Sequence, residues 1–324
     1  MNFRTEIELS EFPFKLEMES KILTIGSCFS DNLGLYFQNN KINCLHNPFG
    51  VVFNPISIFR LLTKSINQPS VNSNYFTERD GQWYHYDFHS KLTSTNKKML
   101  ENELNTRLQK VRDYLQKANY LIITVGTAFA YRLKENNYVV ANCHKQTSNN
   151  FEKELLTNKE IEVRFTQMYE KIKQLNPKIK LIFTLSPVRH TKDTLQGNNL
   201  SKSILRLAIH QFTSSFKDVF YFPSYEILMD DLRDYRYYAD DMIHINSVGQ
   251  TYVLEHFRKT AFSDKLNTFI DNWGPIQSQL NHKPFLPDSE AHQIFLKKLL
   301  QKLDKMSKTI DVSSEKEIVK AQII

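Results

Sequence analysis

Four short apolar runs, each closed by glycine or proline, set most of what this chain is able to fold into. They are ILTIG (22–26), NYLIITVG (119–126), KLIFTLSP (180–187) and DVFYFP (218–223). An aliphatic run without polar alternation needs cover on both faces, the mark of a central strand in a parallel sheet. After the first three runs, apolar residues recur at three- and four-residue spacing: Phe29, Leu33, Tyr36 and Phe37; Ile161, Phe165, Met168 and Ile172; Ile204, Leu207, Ala208 and Phe212. Strands alternating with helices predict an α/β chain, a mostly parallel sheet with helices on both faces and right-handed crossovers. In such a sheet the carboxyl ends of the strands form the functional edge.

Local chemistry fills in the rest. Asn54 before Pro55 reads as the cap of a helix whose inner stripe is Ile58, Leu61, Leu62 and Ile66. Asp80-Gly81, between aromatic-rich arms over 75–88, reads as a hairpin turn. A polar helix over 96–117 follows, and 70–117 reads as an insertion between two strands of the main sheet. Short strands are expected at 42–45 and 138–141, and helices at 226–232, 246–262, 263–275 and 288–308. Residues 1–20 read as a lead-in strand or arm, and the charged tail 306–324 is expected to fray. The expected division is a main domain over 1–275 and a helical extension over 276–324.

Composition removes several function classes. Hydrophobic residues make up 41% and charged residues 24%, the balance of a soluble globular protein. No apolar run approaches the ~20 residues that cross a bilayer. The amino terminus carries acids where a secretory leader has an apolar centre, so a cytoplasmic protein without membrane insertion is expected. Three cysteines, Cys28, Cys44 and Cys143, are too few for a disulfide framework. The net charge of +7 is spread over helix faces beside acids, so no nucleic-acid partner is expected.

Two segments carry chemistry. The first run turns at Gly26-Ser27 straight into a helix, which lifts the Ser27 side chain beside free helix N–H groups. After the fourth run, RDYRYYADDMIHINSVG places Asp241 and His244 three apart before an Asn-capped helix. A carboxylate there holds the imidazole by Nδ1–H and leaves Nε2 to take a proton from a hydroxyl. Serine needs such a base, because the free hydroxyl is a poor nucleophile at neutral pH. Cys28, also near the helix start, is the alternative nucleophile. The backbone N–H groups of Ser27 and Gly50 are candidate oxyanion donors, with a third from Asn142, Asn47 or Arg189. Arg189 also suits a substrate carboxylate or phosphate, and His190, His144 and His89 suit substrate contact. His89, His144 and His190, with Cys44, His46 and Cys143, lack the spacing of a metal site, so no metal and no cofactor is expected.

The block GSCFS, together with NPFGVVFNP, DFHS, GTAFAYR, VVANCHK, LSPVRH, LSK, YFPSYEILMDDLRDYRYYADDMIH and SVG, resembles the GSCFA family of the SGNH/GDSL hydrolase superfamily. The likeness covers roughly residues 20–260. It implies a flavodoxin-like three-layer α/β/α sandwich, with a serine nucleophile in the first block and a D-x-x-H pair in the last, mapping to Ser27, Asp241 and His244. Two departures stand out. The superfamily's first block is usually Gly-Asp-Ser, and alignment on the glycine puts Cys28 in the nucleophile's place. The third block usually supplies an Asn amide, and here reads Gly126-Thr127-Ala128-Phe129. The implied activity is that of a serine esterase or O-acyltransferase working through an acyl-enzyme, on a small-molecule or glycan ester. The alternatives are a ligand-binding protein that keeps the fold without the chemistry, or a Cys28-dependent hydrolase.

Overall fold

The computed structural model describes residues 4–324. Residues 1–3, the start of the expected arm, lie outside the described residues. The rest of the arm forms no ladder. It lies across the body, with Leu16 N–H bonded to Ala261 O at 2.7 Å and the Leu16 side chain fully buried.

In chain order the elements begin with β1 (Ile22–Gly26), α1 (Cys28–Asn39), β2 (Cys44–His46) and α2 (Pro55–Asn67). The hairpin β3 (Phe76–Arg79) and β4 (Gln82–His85) follows, then α3 (Lys97–Leu115), β5 (Tyr120–Val125), β6 (Phe129–Leu133), β7 (Tyr138–Val140) and β8 (Phe151–Leu155). The chain continues with α4 (Asn158–Leu175), β9 (Lys180–Leu185), α5 (Thr194–Ser215), β10 (Val219–Phe222) and a single turn α6 (Ser224–Glu226) that runs on as a π-helix over Ile227–Leu232. It closes with α7 (Ser247–Ala261), α8 (Asp264–Leu280), α9 (Glu290–Met306) and α10 (Ser313–Lys320).

The main sheet has the order β10-β9-β5-β1-β2, every pair parallel. Read along the chain, the first two strands run outward one way and the last three the other. The order therefore reverses between β1 and β5, and a crevice opens there at the strands' carboxyl ends. Side chains alternate across β1: Leu23 and Ile25 face a core with α2, α3, α4 and α5, and Ile22 faces α1, α7 and α8. This is the expected three-layer α/β/α sandwich. The first core is aromatic, with Phe165 stacked on Phe212 at 3.8 Å and both packed on Phe59 and Phe183. Truncating such a ring to alanine costs about 3–5 kcal/mol.

The hairpin turns at Asp80-Gly81, and Asn54 caps α2 through Ser57 N–H at 2.8 Å. The hairpin and α3 lie in sequence between β2 and β5 of the main sheet and touch through Lys97, which sits over the Phe76 and Trp83 rings. Leu100, Leu104, Leu108, Val111 and Leu115 put α3 into the main core. The hairpin is a two-stranded sheet of its own, with Phe76 and Trp83 against the same core; a second small antiparallel sheet, of order β7-β6-β8, meets its flanks through Ala141 N–H to Tyr86 O and Tyr75 stacked on Tyr138 at 3.7 Å. Of that sheet only β7 is visible in the sequence. In β8, FEKEL, three of five residues are charged, and pairing with β6 defines the strand.

At the carboxyl end, α8 continues through Pro275, because Trp273 and Ile276 bury one face against α9. The 275/276 division falls inside this helix. The tail does not fray: Val312, the residue before α10, and Val319 within it are buried in one cluster with α9. Among the described residues, no helix is long and apolar enough to cross a membrane.

Candidate active site

β1 ends in a conformation that only glycine adopts without strain. Gly26 has φ +144°, and a Cβ there would lie 2.1 Å from Thr124 O on β5. This close approach lets Ser27 N–H bond Thr124 O at 3.0 Å. Ser27 then caps α1, its Oγ accepting Phe29 N–H at 3.3 Å, and is 4% exposed. Asn47 braces the corner. Its Oδ1 accepts Gly26 N–H at 2.8 Å, and its Nδ2 donates to Asp31 Oδ1 at 2.6 Å. Beneath, the hydroxyls of Ser30 and Thr184 both meet that of Thr124, at 2.8 and 2.9 Å, and join α1 to β5 and β9.

The D-x-x-H segment is a tight loop before α7. Asn246 closes its base, accepting Gly249 N–H and donating to Arg236 O and Tyr238 O. Across the loop Ala239 N–H bonds His244 O at 2.8 Å. His244 Nδ1 lies 2.6 Å from Asp241 Oδ2, and Asp241 Oδ1 accepts the N–H groups of Ile243 and His244, each at 2.9 Å. The His244 backbone N–H, its side chain and then the Ile243 N–H hold the Asp241 carboxyl down to about 2. Both side chains are nearly half exposed, 46% for His244 and 48% for Asp241. With Nδ1 engaged, Nε2 is the nitrogen left to act on a proton.

Between these two parts stands the loop after β9. Arg189 N–H bonds Ile243 O at 3.3 Å, and its guanidinium donates to Met242 O. His190 packs on Phe53, and its Nε2 would lie 3.3 Å from a Cβ on Gly126, at the end of β5. Burial, then the charge of Lys202, holds His190 down to about 4, and the charge of His244 reaches it as well. His190 is thus a neutral imidazole touching the β5 end and within the field of His244.

Lys202, in the LSK block, drew no attention as a lone lysine in a helix. It is 2% exposed, and its ammonium donates to Gly126 O and Ser186 O, both at 2.6 Å. Among the described residues it has no carboxylate partner, and burial pushes it down to about 7. Only tertiary structure reveals such a residue, since its i−4, i and i+3 neighbours follow the ordinary α5 stripe.

The other candidates fall in three groups. The two backbone donors expected at an oxyanion are spent within the fold, Ser27 N–H on Thr124 O and Gly50 N–H on Asn47 O at 2.8 Å. Closing the turn at 47–50 and the β1–β5 approach use them. The Cys28 N–H, first in α1, bonds no other residue among the described residues, as a helix start dictates. Asn142 uses its oxygen on His144 N–H, and His144 itself bridges Ser90 and His85 O under Tyr84. His89 rides on Gly50, where a Cβ would lie 2.4 Å from His89 Cβ. Cys28 is half-buried, and burial, then Asp31, pushes its thiol up. Among the described residues no hydrogen bond joins Ser27 Oγ to His244, and no three of His, Cys, Asp and Glu are grouped to hold a metal.

The model of the GSCFA family matches residues 21–257, and that of the GSCFA domain protein C-terminal domain matches residues 273–324. No curated protein gives a match. Among solved structures, a carbohydrate esterase family 3 from Talaromyces cellulolyticus is similar at a TM-score of 0.37 with 9% identity, over 78% of this chain and 99% of that one.

Proposed function

This chain belongs to the GSCFA family, and from that premise we propose that it is a serine-dependent ester hydrolase of SGNH type. The observation that carries the reading is the Asp241–His244 pair, 2.6 Å apart, on a loop tied through Arg189 to the rim where Ser27 lies. In this reading His244 Nε2 takes the Ser27 hydroxyl proton as Oγ attacks the ester carbonyl carbon. The tetrahedral oxyanion is met by the Cys28 N–H, which bonds no other residue among the described residues, at the positive end of α1. Collapse expels the alcohol, protonated by His244, and leaves an acyl-serine. Water activated by His244, or a sugar hydroxyl in a transferase, then takes the acyl group.

Ser27 is preferred to Cys28 because the thiol is raised, whereas a thiol nucleophile needs a lowered value. Hydrolysis of short 4-nitrophenyl esters, with fluorophosphonate labelling of wild type and Ser27→Ala, tests the reading. Full activity in Ser27→Ala overturns it.

One observation favours a second reading, a binding protein that keeps the fold. Ser27 Oγ caps its own helix and does not bond His244, and the Ser27 and Gly50 amides are already engaged. Ligand binding without ester turnover or labelling would select it.

A further inference from the structure

A groove of about 740 Å³ opens beside the D-x-x-H loop, reached by Arg189, Lys202 and Arg233 and walled by Tyr225, Tyr235 and Tyr238. Its charges are unevenly matched. Glu226 is held by Arg206 at 2.9 Å and by Tyr221 OH, and Asp234 by Arg236 at 3.1 Å. Among the described residues Arg189 and Arg233 have no carboxylate partner, against one unpaired acid, Asp230. Arg189 lies with its Cζ 4.4 Å from the Tyr238 ring and 5.2 Å from that of Tyr235, and its buried Nε has no acceptor. Buried polar groups are rarely left so, and a guanidinium packed beside two aromatic rings presents its remaining N–H groups as a planar fork.

We propose that this groove is an anion subsite, seating a carboxylate or phosphate group of the substrate beside the hydrolytic centre. The inference rests on the ester-hydrolase reading and names the substrate class as anionic esters. Arg189 does two things at once: its guanidinium and backbone N–H hold the Met242 and Ile243 carbonyls, and its side chain lines the groove. Binding of the substrate's anion is thereby coupled to the loop that carries His244.

The test is titration calorimetry on the full chain with inorganic phosphate, glucuronate and, as neutral control, glucose. Saturable binding of phosphate, of glucuronate or of both is expected, with none for glucose, and the pattern tells which anion is the substrate's. Loss of one charge-assisted contact weakens binding roughly tenfold or more in Arg233→Gln and in Arg189→Gln. Arg233 is exposed, so its replacement leaves the fold intact. Arg164→Gln, in a separate cationic groove beside α2, leaves affinity unchanged. Absence of saturable binding for both anions, or binding indifferent to Arg233→Gln and Arg189→Gln, overturns the subsite. Anion binding that persists while Ser27→Ala keeps full ester hydrolysis overturns the esterase reading and leaves the subsite standing.

Discussion

The two halves of the candidate centre are built in opposite ways. The Ser27 corner is buried, locked by a glycine that cannot be replaced and by four hydrogen-bonded neighbours from β1, β5, α1 and the 47–53 segment. The Asp241–His244 loop stands nearly half in solvent, shaped by its own backbone, the side chains of Asp241 and Asn246, and one arginine. The difference teaches where each property resides. At the corner, position and stability are the same thing. On the loop, chemistry is nearly independent of stability, as expected of functional residues on segments presented by a rigid scaffold.

Ser27→Ala breaks the contrast most directly. Ester hydrolysis falls on the order of 10⁴-fold, while the lost helix cap costs about 1 kcal/mol, read by steady-state kinetics and urea melts. Asp241→Asn tests the loop alone. Turnover falls on the order of 10³-fold because the imidazole loses its orienting carboxylate, with a melting temperature that stays put. If that variant melts much earlier, the loop is structural after all. Gly26→Ala addresses the corner: the clash with Thr124 O and the positive φ cost about 3 kcal/mol in urea melts, and activity falls as Ser27 is displaced.

A smaller effect follows from Lys202. Its folded value of about 7 lies below the ordinary 10.5, so between these the unfolded chain binds the extra proton. The stability penalty is full below pH 7 and fades as pH rises through that window. Between about pH 7.5 and 9.5, wild type gains on the order of 2 kcal/mol relative to Lys202→Met in urea melts. The smallest effect belongs to Cys28→Ser. Hydrolysis stays within about twofold, because a raised thiol is inert; a collapse of activity with loss of iodoacetamide sensitivity would move the nucleophile to Cys28.

The sheet was legible because parallel strands need uninterrupted apolar runs, and ILTIG, YLIITV, KLIFTL and VFYF have them. The Asn54 and Asn246 caps were legible for the same kind of reason, since their partners lie three residues away. Strands β6 and β8 were not, because their identity lies in pairing and not in composition. Within the site, D-x-x-H was readable as a local pattern. The spending of the Gly50 and Ser27 amides and the burial of Lys202 were not, since all three depend on residues distant in sequence.

The far end of α1 has a partner made much later in the chain. Trp273 Nε1 donates to Asn39 O at 2.8 Å, Gln277 donates to the same carbonyl, and Lys41 pairs with Glu315. During synthesis the amino-terminal segments leave the ribosome first and fold as they emerge. The carboxyl end of α1 therefore gains this second set of fastenings only once residues 273–277 and 315 have been translated.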